Sequence, residues 1–385
     1  KLGSLSKNII TIKGFNKNSI INKTMKTMKK NLLALGIILM SALTFTACSD
    51  DNGNDDGVQP SLSSTNTYIP CAGNYMKNDG TVGLLDYNTG NRPNAPFLYY
   101  DAYQAQNGTG IGDAQDLIIV GNKIIVTSTS SSKLEILNRL GKLEHRVKLH
   151  NTQPRFLATD GKYVYFSAYT GKVYKVNPND YKKTIIDSVI VGSHPEALSV
   201  ANGKLYVNMS DYNYDGTGKS VSVVDLNTFK KIKELQVALN PYDQSYSVDD
   251  KVYFASSFHG EDAAVQVIDA KTDQVTTLCK ANIFGYDKTK NRLICFSTQY
   301  DYTLKRFVVN KAFTYDIATK EQKELNLEGL ISPSQVSVDN KGYIYVIDTP
   351  KYSEPSRVFY YSPEGKLIQG PILVGYDAHK IKFAN

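Results

Sequence analysis

The residues of this chain with the most chemistry to offer stand in the breaks between strand-like runs. Tyr75, Tyr169, Tyr212, Tyr214, Tyr300, Tyr302 and Tyr352 fall in one set of breaks, with Phe258 and His259 beside them. Gln153, Arg155, His194, Tyr242 and Asp377 fall in a second set, at or next to the starts of other runs. Flat aromatic faces flanked by amide, imidazole, guanidinium and carboxylate groups can hold a ligand by stacking and hydrogen bonds. Turns need Gly, Asn and Asp for backbone reasons and have no such need of aromatic rings, so rings that recur there point to recognition.

Bond-making chemistry has thinner support. The five histidines, His145, His150, His194, His259 and His379, show no H-x-x-x-H or H-E-x-x-H spacing, so the spacing implies no metal centre. No G-x-S-x-G, P-loop or dinucleotide fingerprint stands in a strand-turn-helix context. A hydrolytic site would have to draw on Asp243, Asp377 and His194. Asp211-Tyr212-Asn213-Tyr214-Asp215-Gly216 matches the first half of a calcium loop, but position twelve is Ser222 where a bidentate Glu is needed. Asp211, Asn213 and Asp215 are therefore weak calcium candidates and read better as a hairpin loop. No cofactor is expected, and the absence of Trp weakens a quinoprotein-dehydrogenase reading, whose propellers use Trp docking motifs.

The elements that must position these residues repeat. Pro154 to Gly192 reads as four short strands (FLAT, KYVYFSA, GKVYKVN, TIIDSVIV) separated by Asp160-Gly161, Thr170-Gly171 and Asn177-Pro178-Asn179-Asp180. The same grammar restarts at Pro195. Starts at Asp113, Pro154, Pro195, Pro241, Ile283 and Pro333 are spaced by 41, 41, 46, 42 and 50 residues, a period that belongs to radial or stacked repeats. Residues Thr67 to Tyr100 supply the second, third and fourth strands of a further unit without a first. Ala378 to Asn385 supply a first strand without the rest. Joined, they make a seventh unit that closes a ring and removes the open edges of a linear array. The fold expected is all-β: a seven-bladed β-propeller of four-stranded antiparallel blades over residues 65–385, closed by the C-terminal strand. In such a ring, connections between blades and loops from second to third strand share one face. That rule gathers the aromatic breaks on one rim and leaves plain turns such as Gly161-Lys162 and Asn202-Gly203 on the other.

Charge and processing narrow the setting. The formal net charge of +7 is a terminal effect, since eight lysines and no acids lie between Lys1 and Ala47. The remainder holds 36 basic against 37 acidic residues, which gives no electrostatic support to nucleic-acid binding. Residues 1–24 read as an upstream extension and 25–47 as a lipoprotein signal peptide, with Met28-Lys29-Lys30 ahead of a short apolar run. Leu43 to Cys48 resembles a bacterial lipobox, with Cys48 as the lipidated residue. Residues 48–64 form an acidic tether that resembles the export signal of surface lipoproteins in gut anaerobes. The expectation is an outer-membrane, lipid-anchored, surface-exposed protein that meets the membrane through its anchor only. Of the other cysteines, Cys71 and Cys295 sit in strand-like runs as buried thiols, and a Cys279 to Cys295 bridge stays open.

The pattern P-x-x-L-x-x-x-x-G-K-x-Y-V, followed by V-x-V-[VI]-D-x-x-T at Val221 to Thr228 and Val265 to Thr272, resembles the YncE-type seven-bladed propellers. Lipobox, acidic tether and Tyr-rich single propeller together are similar to the BtuG-type corrinoid-capturing lipoproteins of gut anaerobes. The resemblance covers roughly residues 65–385. It implies a non-enzymatic binding protein that holds a corrinoid such as vitamin B12, or another small molecule, for hand-over to an outer-membrane transporter. An interaction scaffold for protein or glycan and a propeller-lactonase-like hydrolase are the competing classes.

Overall fold

A computed structural model describes residues 67–74, 77–87, 97–256 and 263–384. Cys48 with its signal and tether, Tyr75, Phe258 and His259 lie outside the described residues. The described chain forms seven four-stranded sheets, in each of which the strands pair antiparallel with their immediate neighbours. Innermost strands are β4 (Asp116–Val120), β8 (Pro154–Thr159), β12 (Pro195–Ala201), β16 (Pro241–Val248), β20 (Ile283–Asp287) and β24 (Pro333–Val338). The expected starts at Pro154, Pro195, Pro241, Ile283 and Pro333 are the observed ones.

The first blade is assembled from both ends of the ring, in the order β28 (Lys382–Phe383), β1 (Thr67–Cys71), β2 (Thr81–Tyr87), β3 (Phe97–Asp101). Thr67 pairs with Phe383 and Tyr68 with Lys382, and Cys71 bridges Ala378. Three further backbone bonds tighten the closure: Ala72 N to Asp377 O (2.9 Å), Gly73 N to Tyr376 O (3.0 Å) and His379 N to Pro70 O (3.1 Å). One short helix, α1 (Ala102–Asn107), leads to the second blade. It is capped by the Asp101 carboxylate at its start and by left-handed Gly108 at its end.

Apolar burial lies between blades. Seven clusters of buried side chains each join two neighbouring blades around the ring. A strand packed on both faces cannot alternate, which is why β1 and β9 (Val164–Ala168) are buried at every position. Outer strands such as β7 (Leu143–Lys148) alternate half-buried and exposed. Fully buried rings, among them Tyr68, Tyr165, Phe254 and Phe296, each contribute about 2–3 kcal/mol by removal from water. The thiols of Cys71, Cys279 and Cys295 are free and buried, and Cys279 Sγ lies 3.9 Å from Cys295 Sγ.

One blade departs from the expected pattern. β21 (Arg292–Asp301) and β22 (Arg306–Asp316) remain paired out to Asp301 and Arg306, whereas β20 pairs with β21 only as far as Phe296. Gln299, Tyr300 and Asp301, expected in a loop, are strand residues of a hairpin that outreaches its blade. Its tip is held by the Asp301 carboxylate, which accepts from the backbone N–H groups of Thr303 and Leu304.

Ending the chain after Asp377 removes β28 and uncovers the edge of β1. The expected result is a melting temperature lower by several degrees with aggregation on heating, read by calorimetry and light scattering. An unchanged transition would show that the two-residue strand is not what closes the ring.

Candidate functional site

Among the described breaks, backbone bonds bring four second-to-third loops together with blade connections on one rim. Tyr169 N donates to Gln153 O (3.2 Å), Ser210 N to His194 O (3.1 Å), Thr349 N to Ser332 O (2.8 Å) and Ala72 N to Asp377 O (2.9 Å). Each bond ties a second-to-third loop to the connection entering the same blade. Gln153, His194, Asn240 and Asp377 all hold φ between 40° and 60°. This left-handed conformation costs a non-glycine residue about 1–2 kcal/mol and persists only where neighbouring contacts fix it.

At the channel mouth the second residues of three inner strands meet. Arg155 of β8 donates from Nε to Glu196 Oε2 of β12 (2.8 Å), from Nη1 to Gln115 Oε1 (2.7 Å) and from Nη2 to the Tyr242 hydroxyl of β16 (3.1 Å). Tyr169 OH donates to the other Glu196 oxygen (3.2 Å), and its ring lies 4.8 Å from the guanidinium. Arg155 and Glu196 are almost wholly buried. Burial drives the Glu196 carboxyl above the usual carboxylate range, against the pull of Arg155 and Tyr169. Arg155 and Tyr242 are thus engaged by their own chain and act as a frame across blades 2 to 5. Further along the inner strands, Lys380 Nζ pairs with buried Asp116 at 3.0 Å. Burial lowers the nearby Lys382 amine to about 8, although Asp116 opposes the shift.

Around this frame stand rings of two kinds. His194 stacks on Tyr212 with centroids 4.7 Å apart, and Tyr169 closes the trio at 5.4 Å from Tyr212. Tyr300 packs edge-on against Tyr302 and Phe307 at 5.2 and 5.3 Å on the blade 6 hairpin. Tyr302, Tyr214, Tyr352 and Tyr212 are exposed by 83%, 76%, 65% and 53%, and no other described Tyr is as exposed. All four lie in second-to-third loops.

A cavity of about 300 Å³ opens among blades 1, 3, 5, 6 and 7, with Asp243, Gln335, Asp377 and His379 among its polar lining residues. Gln335 Nε2 donates to Asp243 Oδ2 (3.0 Å). Burial raises the Asp243 carboxyl above its ordinary range even though Lys380 and His379 pull it down. His379 Nε2 lies 3.4 Å from Asp377 Oδ2. Burial resists the His379 charge, but the Asp377 carboxylate outweighs it and raises the imidazole above 6.5. Burial likewise opposes the Asp377 charge, and His379 offsets it to leave that carboxyl below 3.8. His194, which a hydrolytic site would have needed beside Asp243 and Asp377, lies in a separate hollow with Asp211 and Tyr212, and the imidazole beside those carboxylates is that of His379. Gln115, Glu196, Gln335 and Phe307 were not singled out by sequence reasoning. Aligning the blades on their first proline would have shown Arg155, Glu196, Tyr242 and Ser334 diverging at one shared position.

The calcium half-loop is closed by its own backbone. Asp211 accepts from the N–H groups of Gly216, Thr217 and Gly218, each at 3.1 Å, and Asp215 accepts from Thr217. Ser222 is buried and donates to Val191 O. Among the described residues no three His, Cys, Asp or Glu side chains are grouped to hold a metal.

The ring of blades and its single aromatic rim define a seven-bladed β-propeller, and comparison with known proteins agrees at the level of fold. No protein-family description matches the chain, and no curated protein matches it. Among solved structures it is similar to a quinoprotein alcohol dehydrogenase-like protein from Bacteroides thetaiotaomicron (15% identity, TM-score 0.59), covering 84% of this chain and 79% of that one. It is also similar to a hypothetical selenium-binding protein from Sulfolobus tokodaii (9% identity, TM-score 0.61; 83% and 93% covered). Hydrazine synthase from Kuenenia stuttgartiensis shares the fold more loosely (15% identity, TM-score 0.52; 64% and 76% covered).

Two tests follow from the buried charges. Arg155→Met strands the Glu196 carboxylate and is expected to cost about 3–5 kcal/mol in urea denaturation, with much of the loss recovered in an Arg155→Met/Glu196→Met double variant. The Asp377–His379 pair has an acid with a lowered pKa and a base with a raised one. Its contribution is full between 3.8 and 6.5, falls as pH drops through the Asp377 value, and falls again as pH rises through the His379 value. The melting-temperature gap between wild type and Asp377→Asn should therefore be widest in that window.

Proposed function

We propose that this protein is a non-enzymatic binding propeller that captures a ligand on its aromatic rim and, anchored at the cell surface, passes it to an outer-membrane transporter. The observation that carries the binding reading is the concentration of its four most exposed described tyrosines, Tyr302, Tyr214, Tyr352 and Tyr212, in loops of one face. Exposed rings gathered on a single rim gain when a partner covers them, whereas scattered ones need no explanation. A large ligand with a flat body and a polar fringe suits such a rim, because rings can grip the body while hydroxyl, amide and imidazole groups meet the fringe. A corrinoid has that form, and it is the ligand that the resemblance to BtuG-type lipoproteins implies.

The test mixes the purified protein with cyanocobalamin and follows visible absorbance through gel filtration. Co-elution at micromolar protein is expected. Tyr302→Ala/Tyr352→Ala should weaken binding about 10- to 100-fold, on the order of 1–3 kcal/mol for two stacking rings. A colourless protein peak at that concentration sinks the corrinoid assignment. A partner recovered from outer membranes by pull-down, with no small molecule bound, would favour the scaffold class instead.

A further inference from the structure

The cavity at the channel mouth measures about 300 Å³, the lower end of the range for small-molecule sites and too small for a whole macrocycle. It can admit one arm of a larger ligand. Phe156, Tyr242, Phe307 and Tyr352 contribute rings to a wall that is otherwise mostly polar, with Asp243, Gln335, Asp377 and His379 among its polar groups.

The charges around it are already matched. Arg155 is paired with Glu196 at 2.8 Å, Lys380 with Asp116 at 3.0 Å, and His379 faces Asp377 at 3.4 Å. An anionic arm would meet the carboxylates of Asp243 and Asp377. A cationic arm would meet Arg155, Lys380 and His379. The anionic arm would lose hydration without a free counter-charge, and the cationic arm would find only Asp243, which has no ion pair but already accepts from Gln335. One polar atom of the lining makes no hydrogen bond: His379 Nε2 is buried and meets Asp377 Oδ2 only at an ion-pair distance of 3.4 Å. Asp243 does accept one, and its donor is the side-chain carboxamide of Gln335, reaching from blade 7 to blade 5 at 3.0 Å. The chain itself thus supplies an example of the group this carboxylate receives.

We infer that the cavity is a subsite for an uncharged primary carboxamide arm of the ligand. The two N–H groups of such an arm are directed at Asp243 and Asp377, and its carbonyl oxygen accepts from His379 Nε2–H. A hydroxyl carries a single donor for two carboxylates, and an ammonium offers His379 no acceptor. The inference rests on reading this rim as the ligand-binding face.

Three probes of one shape decide it. Benzamide, benzoate and benzylamine are titrated separately into the full chain at neutral pH, followed by ligand-observed NMR at millimolar probe. Benzamide is expected to bind at least tenfold more tightly than either charged analogue. Asp243→Leu and, independently, His379→Leu should each weaken benzamide by tenfold or more, with near-ultraviolet circular dichroism verifying the fold. Should neither variant fold, the ranking of the three probes on wild type decides alone. Binding of benzoate or benzylamine equal to or tighter than benzamide overturns the inference, as does no benzamide signal. Benzamide bound in the expected ranking by a protein that ignores cyanocobalamin keeps the subsite and removes the corrinoid. Cyanocobalamin bound without any preference among the probes keeps the corrinoid and removes the subsite.

Discussion

A ring of β-sheets must close on itself, and in this protein the closing contact is small. Lys382 and Phe383 pair with Tyr68 and Thr67, and the bonds from Pro70, Ala72 and Gly73 to His379, Asp377 and Tyr376 extend the seam. The two apolar clusters that flank the first blade depend on that seam directly, because this blade is covered on both faces only while the ring is complete. The backbone that makes the seam also carries Asp377, His379 and Lys380 into the channel mouth. Stability and the polar heart of the rim therefore share one short segment.

The frame of Arg155, Glu196, Tyr242 and Tyr169 explains how a face made of loops holds its shape. Its members come from blades 3, 4 and 5, so none of these three can tilt without breaking a buried charge-assisted bond. The left-handed residues at the blade connections have a similar effect on the backbone. Each is bonded through its carbonyl or side chain to a loop on the same rim, as Asn240 Oδ1 accepts from Asp211 N at 2.8 Å. A rim preorganised in this way loses little freedom when a ligand covers it.

The ring was legible in the sequence because its signals are local. Proline at the first position, Asp-Gly or Asn-Gly after five or six residues, and a Tyr-rich second strand mark a blade wherever they recur. The half-units at Thr67 and Ala378 could be joined for the same reason, since edge strands without partners are not tolerated. The site was legible only in outline. Tyr212, Tyr214, Tyr302 and Tyr352 are on the rim because loop position is a matter of order along the chain. The contacts of Arg155 with Glu196, or of Asp243 with Gln335, link residues in different blades, and strand periodicity carries no record of which side chain faces which across the channel. The long hairpin of blade 6 was missed because Gln299-Tyr300-Asp301 looks like a loop until the matching apolar run at Phe307 is paired with it.

The composition of the first blade has a consequence in time. Its outer three strands appear at the beginning of the folded region, yet the stretch that gives it an inner strand follows all six other blades in the sequence. Phe97 and Gln369, bonded across that junction, are 272 residues apart. Such distant pairing is slow to form and comes last. A nascent or clipped chain can stack most of its blades and still lack the carboxylate and imidazole at the mouth of the channel. Order of synthesis alone thus makes the mouth of the channel the last part of the ring to be completed.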